Sequence, residues 1–163
     1  MSKEPDTNPV ETLREHIKDV RMAMLTTISD GRVVSRPMSA QDIGPDGTLW
    51  FLTNVDSHKV REIAVNPKVG VVFVNPGSET YVSVAGTARV TNDRAQIREF
   101  WNPFYKAWFE GPDDPAIRVV EVTPDSAEYW ITKGGKIVSL VSILVSAVTG
   151  KDFEAGENRT IEL

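Results

Sequence analysis

With 163 residues, 40% of them hydrophobic and 25% charged, the chain has the make-up of one ordinary globular domain, long enough to bury a core without a metal or disulfide. Its 18 basic and 23 acidic residues leave a net charge of −5, which supplies no overall field for nucleic acid or anionic lipid. There is no cysteine, which excludes disulfides, thiolate metal sites and a cysteine nucleophile, and His16 and His58 are too few for a multi-histidine zinc site.

Residues 1–8 are polar, lack a basic-then-apolar signal pattern and read as a flexible tail. A helix is expected from Pro9, with Asn8 as N-cap and Val10, Leu13, Ile17 and Val20 as its apolar face. Strands follow over 22–29 and 32–42, joined by the two-residue turn Asp30-Gly31. Gly44-Pro45-Asp46-Gly47 turns into a strand over 48–53, and a short helix over 57–65 stops at Asn66-Pro67. Asn75-Pro76-Gly77 joins strands over 68–74 and 79–91. Asp93 caps a helix through Trp101, and Pro103 restarts a helical segment that ends at Gly111-Pro112. Residues 116–122 form a strand and 126–132 a shorter extended piece around Pro124. Over 137–149 the hydroxyls of Ser139, Ser142, Ser146 and Thr149 recur at helical spacing, so a helix is expected, with the β-branched residues arguing for a strand instead. This apolar run is too short to span a membrane. The domain is expected over 9–150, with a C-terminal extension over 151–163, in a soluble cytoplasmic protein. Short antiparallel strands with few helices between them predict a small barrel with helices on its outside, not a doubly wound parallel sheet.

No dinucleotide fingerprint, Walker loop, zinc-protease or nucleophile-elbow motif occurs, and the lone Gly134-Gly135-Lys136 reads as a turn. The informative stretch runs from Trp50 to Lys59, where a strand ends at Thr53 and a helix begins near Ser57. Free amides and the dipole at a helix start attract anions. Thr53 and Ser57 add hydroxyls, Lys59 adds a cation one turn in, and Arg36 on the preceding strand offers a planar fork. Together they suit a phosphate monoester. The plainer alternative makes Ser57 an ordinary N-cap and Lys59 and Arg36 solvated charges. His16 reads as a solvated surface residue, and His58 as exposed at the helix start.

Phe100, Trp101, Phe104, Tyr105, Trp108 and Phe109 crowd into one segment, and their spacing of four draws two adjacent lines. Burial against the barrel or a second subunit is the expected use; the sharper alternative brings Trp101 or Trp108 over a bound ligand.

The run Phe51-x-Thr53-Asn54-x-x-Ser57-x-Lys59-x-x-Glu62 followed by Asn66-Pro67 resembles the flavin-phosphate segment of the pyridoxamine 5′-phosphate oxidase-like split-barrel family. Arg36-Pro37-Met38, Val84-Ala85-Gly86-Thr87-Ala88, Val122-Thr123-Pro124 and Glu128-Tyr129-Trp130 stand where that family has its other elements. Trp50-Phe51, Trp101-Asn102-Pro103, Ala107-Trp108-Phe109, Gly111-Pro112-Asp113-Asp114-Pro115 and Ala127-Glu128-Tyr129-Trp130 are similar to its bacterial general-stress-protein branch. The resemblance implies a mainly β (α+β) fold, a six-stranded antiparallel split barrel with peripheral helices, and a homodimer holding FMN, with FAD as the variant, at the subunit interface. It implies Arg36, Ser57 and Lys59 on the flavin phosphate and Thr53 there or on the ribityl chain. It places Pro37, Met38 and Ser39 along the isoalloxazine, Phe51 and Leu52 lining the site, and Tyr81 and Trp108 as further flavin contacts. Two features depart from the true oxidases: Gln41 stands where they carry a substrate lysine, and no histidine follows His58 to form their C-terminal arginine–histidine pair. The implied activity is a flavin-dependent oxidoreductase of stress response that does not oxidise pyridoxamine phosphate; a flavin carrier or a deazaflavin-binding barrel are the alternatives.

Overall fold

The computed structural model describes residues 9–133 and 136–142. In chain order these form α1 (Pro9–Ile17), β1 (Met22–Ser29), β2 (Arg32–Ile43), β3 (Leu49–Asn54), α2 (His58–Val65), β4 (Lys68–Asn75), β5 (Thr80–Thr91), α3 (Arg94–Phe100), a 3₁₀ turn (Pro103–Ala107), β6 (Ile117–Lys133) and β7 (Lys136–Ser142). The strands lie in the order β3-β2-β1-β4-β5-β6-β7, and β3 also pairs with β6. Six antiparallel strands therefore close into a ring, and β7 adds to the outer half of β6.

The ring follows from local chemistry. Asp30 and Gly31 adopt φ of 49° and 73°, the paired left-handed conformation that turns β1 tightly into β2. Alternation along each strand separates two apolar clusters. Leu25, Phe51, Val71, Phe73, Val82, Val84, Val120 and Val122 fill the barrel, while Leu52, Ile97, Tyr105, Phe109, Ile117 and Val119 form an outer layer under α3 and the 3₁₀ turn. α1 adds Val10, Leu13 and Ile17 to the barrel core, as its spacing predicts. Asp93 caps α3 by accepting from the amides of Ala95 and Gln96.

Four expectations are corrected. Residues 137–142 belong to strand β7, with Ile137 opposite Thr132 and Leu140 opposite Tyr129; the ladder offered by β6 outweighs the hydroxyl spacing, in keeping with the β-branched Ile137, Val138 and Val141. The rest of that predicted helix, 143–149, lies outside the described residues. The two pieces flanking Pro124 are one continuous strand, because the β5–β6 register shifts between Ala85 and Gly86 opposite the proline. Gly86 is required there, since a Cβ would stand 2.5 Å from the Thr123 carbonyl oxygen. The helical segment after Pro103 ends at Ala107 instead of continuing to Gly111. His16 is half-buried, its ring 4.7 Å from that of Tyr129, and burial lowers its pKa against the opposing pull of Glu15.

Candidate functional site

Inward-facing positions of β1 are Ala23, Leu25 and Thr27, and Arg36 on β2 stands opposite Leu25. Both Thr27 and Arg36 therefore look into the barrel near the turn end of the hairpin, where α2 covers the opening. Thr27 is fully buried, and its hydroxyl donates to Glu62 Oε2 at 2.5 Å. Arg36 donates from Nη1 to Thr27 Oγ1 and from Nη2 to Glu62 Oε2, each at 2.6 Å. Three elements, β1, β2 and α2, are thus tied by one closed polar ring.

Beside it lies a second cluster. Near the end of β3, Thr53 is buried and faces inward, and Lys59 Nζ donates to Thr53 Oγ1 at 3.0 Å. The Ser57 hydroxyl lies 3.2 Å from the same Thr53 oxygen. Ser57 occupies the N-cap of α2 but makes no side-chain cap hydrogen bond, so its hydroxyl is directed to the cluster and not to the helix amides. Burial lowers the Lys59 pKa first, the Arg36 charge lowers it further, and Glu62 restores part. Glu62 is pushed up by burial, but hydrogen bonds from Thr27 and Arg36, with the Arg36 charge, outweigh this and hold it below its ordinary value. Lys59 and Arg36 bring two positive charges close enough to act on each other near the start of α2, with the Thr53 and Ser57 hydroxyls beside Lys59. A set of donors of this kind can take an anion. Solvated charges and an ordinary cap do not describe this geometry.

The remaining predicted residues fall into distinct places. Met38 is buried, Pro37 is exposed and Ser39 half-buried. Only Ala40–Ile43 of β2 register with β3 among the described residues, so β2 from Arg36 to Ser39 runs with β1 alone beside it. Phe51 is fully buried in the barrel, and Leu52 in the outer layer. Tyr81 stands on the outer sheet face opposite Val74 and Trp130. Trp108 is 61% exposed, its ring 5.0 Å from Phe104, and borders an open groove with Lys106, Phe109, Glu110, Asp114 and Pro115. Burial raises the Tyr105 pKa, and the nearby Ser39 of β2 partly offsets the rise, while the buried Tyr105 hydroxyl has no hydrogen-bond partner within the described residues. His58 is exposed, with Nδ1 3.0 Å from an Arg61 nitrogen.

Sequence reasoning missed Thr27 and the role of Glu62. The signal for Thr27 was its position: a hydroxyl at an inward register of a strand whose other inward residues, Ala23 and Leu25, are apolar. Glu62 stood inside the quoted motif, but nothing in a spacing tells that it grips Arg36. Among the described residues no helix is long and apolar enough to cross a membrane, and no cluster of acidic or histidine side chains could hold a metal.

The family described as pyridoxamine 5′-phosphate oxidase-like matches residues 8–154, nearly the whole chain. The chain belongs to that family. General stress protein 26 of Bacillus subtilis is 28% identical over 122 residues, covering 71% of this chain and 86% of its own length. The structure of general stress protein 26 from Bacillus anthracis superposes with a TM-score of 0.68 at 27% identity, over 80% of this chain and 98% of that one. A general stress FMN/FAD binding protein from Xanthomonas citri gives a TM-score of 0.64 at 25% identity, over 93% and 96% of the two chains. The family's split barrel is the ring seen here, and the chain's relatives include proteins named general stress protein 26.

Proposed function

We infer that this family member binds FMN, with FAD as the variant, and serves as a flavin-dependent oxidoreductase acting on a small molecule in stress response. The observation that carries the reading is the Lys59 ammonium beside the Thr53 and Ser57 hydroxyls at the start of α2, with the Arg36 charge close enough to act on Lys59. Arg36, Ser57 and Lys59 would hold the flavin phosphate, Thr53 the phosphate or ribityl chain, and β2 from Pro37 to Ser39 would run along the isoalloxazine. A bound flavin supplies hydride and electron transfer, and the protein supplies binding, orientation and electrostatics. Oxidation of pyridoxamine phosphate is not part of the proposal, because Gln41 and the lack of any histidine beyond His58 leave that substrate's grip unbuilt.

The reading includes a homodimer with flavin at the interface. Met22, Val74 and Tyr81 lie in one cross-strand row of the outer face, and Met24 and Val72 in the next, each 36–49% exposed. A contiguous exposed apolar face of this kind suits burial against a second copy. Val74→Asp is expected to halve the mass seen by sedimentation and to weaken flavin binding with it.

The deciding experiment titrates the stripped protein with FMN, FAD, a deazaflavin cofactor, riboflavin and pyridoxal phosphate. FMN is expected to bind at least roughly tenfold tighter than riboflavin, the value of one charged hydrogen bond. Equal affinity for FMN and riboflavin would overturn the phosphate assignment. Flavin binding without NAD(P)H turnover on any acceptor above free flavin would favour a carrier. Binding of a deazaflavin in preference to FMN would reassign the cofactor.

A further inference from the structure

Glu62 is a carboxylate at a site built for an anion. Its Oε2 lies 2.6 Å from Arg36 Nη2, and its charge acts on Lys59. Counted as charge alone, it subtracts from the field that would draw a phosphate. Counted as geometry, it does the reverse. A guanidinium carries five N–H donors in a rigid plane. Glu62 Oε2 and Thr27 Oγ1 each accept from a different terminal nitrogen of Arg36, and Thr27 donates back to Glu62. This closed ring fixes the plane of the fork and therefore the direction of the donors it leaves over. Its members are well sheltered, with Arg36 and Glu62 side chains 18% and 11% exposed and Thr27 fully buried. The ring is stiff for that reason.

We propose that Glu62, together with Thr27, is the positioning residue of the phosphate-reading Arg36, so that the cradle recognises a phosphate monoester by directed donors more than by net charge. The proposal rests on the flavin-phosphate reading above and deepens it. It also assigns the Thr27 hydroxyl a purpose at a position where an apolar residue would serve the barrel equally well.

The two accounts predict opposite signs. Removing a negative charge from an anion site tightens binding if charge decides, and loosens it if geometry decides. The test measures FMN and riboflavin dissociation constants on the full chain for wild type, Glu62→Ala, Glu62→Gln and Thr27→Val. Glu62→Ala is expected to weaken FMN by roughly tenfold or more, the value of a lost charged hydrogen bond, and to leave riboflavin unchanged. Glu62→Gln retains a carbonyl that can accept both hydrogen bonds and is expected to restore most of the FMN affinity. Thr27→Val keeps every charge, opens the ring and is expected to lower the preference for FMN over riboflavin. Tighter or unchanged FMN binding by Glu62→Ala overturns the proposal, as does an equal loss for both flavins. If Glu62→Ala does not fold, a wild-type FMN preference in Thr27→Val overturns it. A wild-type protein that does not prefer FMN to riboflavin overturns the phosphate reading itself, and the inference with it.

Discussion

The mouth of the barrel and the aromatic segment over residues 100–109 solve opposite problems. At the mouth, polar groups are taken out of water and each is given a partner: Thr27, Arg36 and Glu62 in one ring, Thr53, Ser57 and Lys59 in the other cluster. In the aromatic segment, large apolar groups are divided between core and water. Tyr105 and Phe109, four apart, are buried, while Phe104 and Trp108, the adjacent line, stand 55% and 61% exposed. The barrel needs only the buried line. Its polar interior and its exposed aromatics are both more than folding requires, and those are the two places where the proposed binding role falls.

Several substitutions would sharpen that contrast. The largest effect is expected within the aromatic segment, where Phe109→Ala should cost about 3–5 kcal/mol in denaturant unfolding, since it empties a buried position of the outer layer. At the mouth, Arg36→Ala should cost about 3 kcal/mol, because it strands the sheltered Glu62 carboxylate without its cation. The same variant should lose FMN affinity while affecting riboflavin little.

Lys59→Met is expected to separate binding from stability. Burial and the neighbouring Arg36 charge hold the Lys59 pKa below its ordinary value, so folding disfavours its protonated form. Stability from this group therefore rises with pH between the folded and the ordinary lysine value, and is lowest below both. The variant should weaken FMN roughly tenfold, one charged hydrogen bond, yet unfold no more easily at neutral pH and lose the alkaline rise. Glu62 has the complementary sign. Its depressed pKa gives stability that is complete above the ordinary carboxylate range and disappears as the pH falls through the folded value, so Glu62→Gln should flatten the acid limb of an unfolding-against-pH curve.

The smallest change in stability is expected for Trp108→Leu, within about 0.5 kcal/mol, as befits an exposed side chain. If Trp108 reaches a flavin bound at the subunit interface, the same substitution should still alter flavin affinity and fluorescence. Unchanged values would confine Trp108 to the surface groove.

Much of this architecture is local and was legible in the chain. Asp30-Gly31 dictates a hairpin because both residues tolerate left-handed φ, and Asn66-Pro67 ends α2 because proline cannot continue a helix. The two apolar clusters follow from period-two alternation, and the grouping of Thr53, Ser57 and Lys59 follows from a strand end meeting a helix start within seven residues. What spacing could not decide depended on partners distant in sequence. β6 turned residues 137–142 into a strand by offering a ladder, and Gly86 let a proline pass through a continuous strand by yielding space to the Thr123 carbonyl. Glu62 met Arg36 across 26 positions and Thr27 across 35. Local sequence determines conformations that a few neighbouring torsions and side chains can enforce; which of two permitted conformations wins, and which charge faces which, is decided only when the barrel closes and brings remote strands within hydrogen-bond reach.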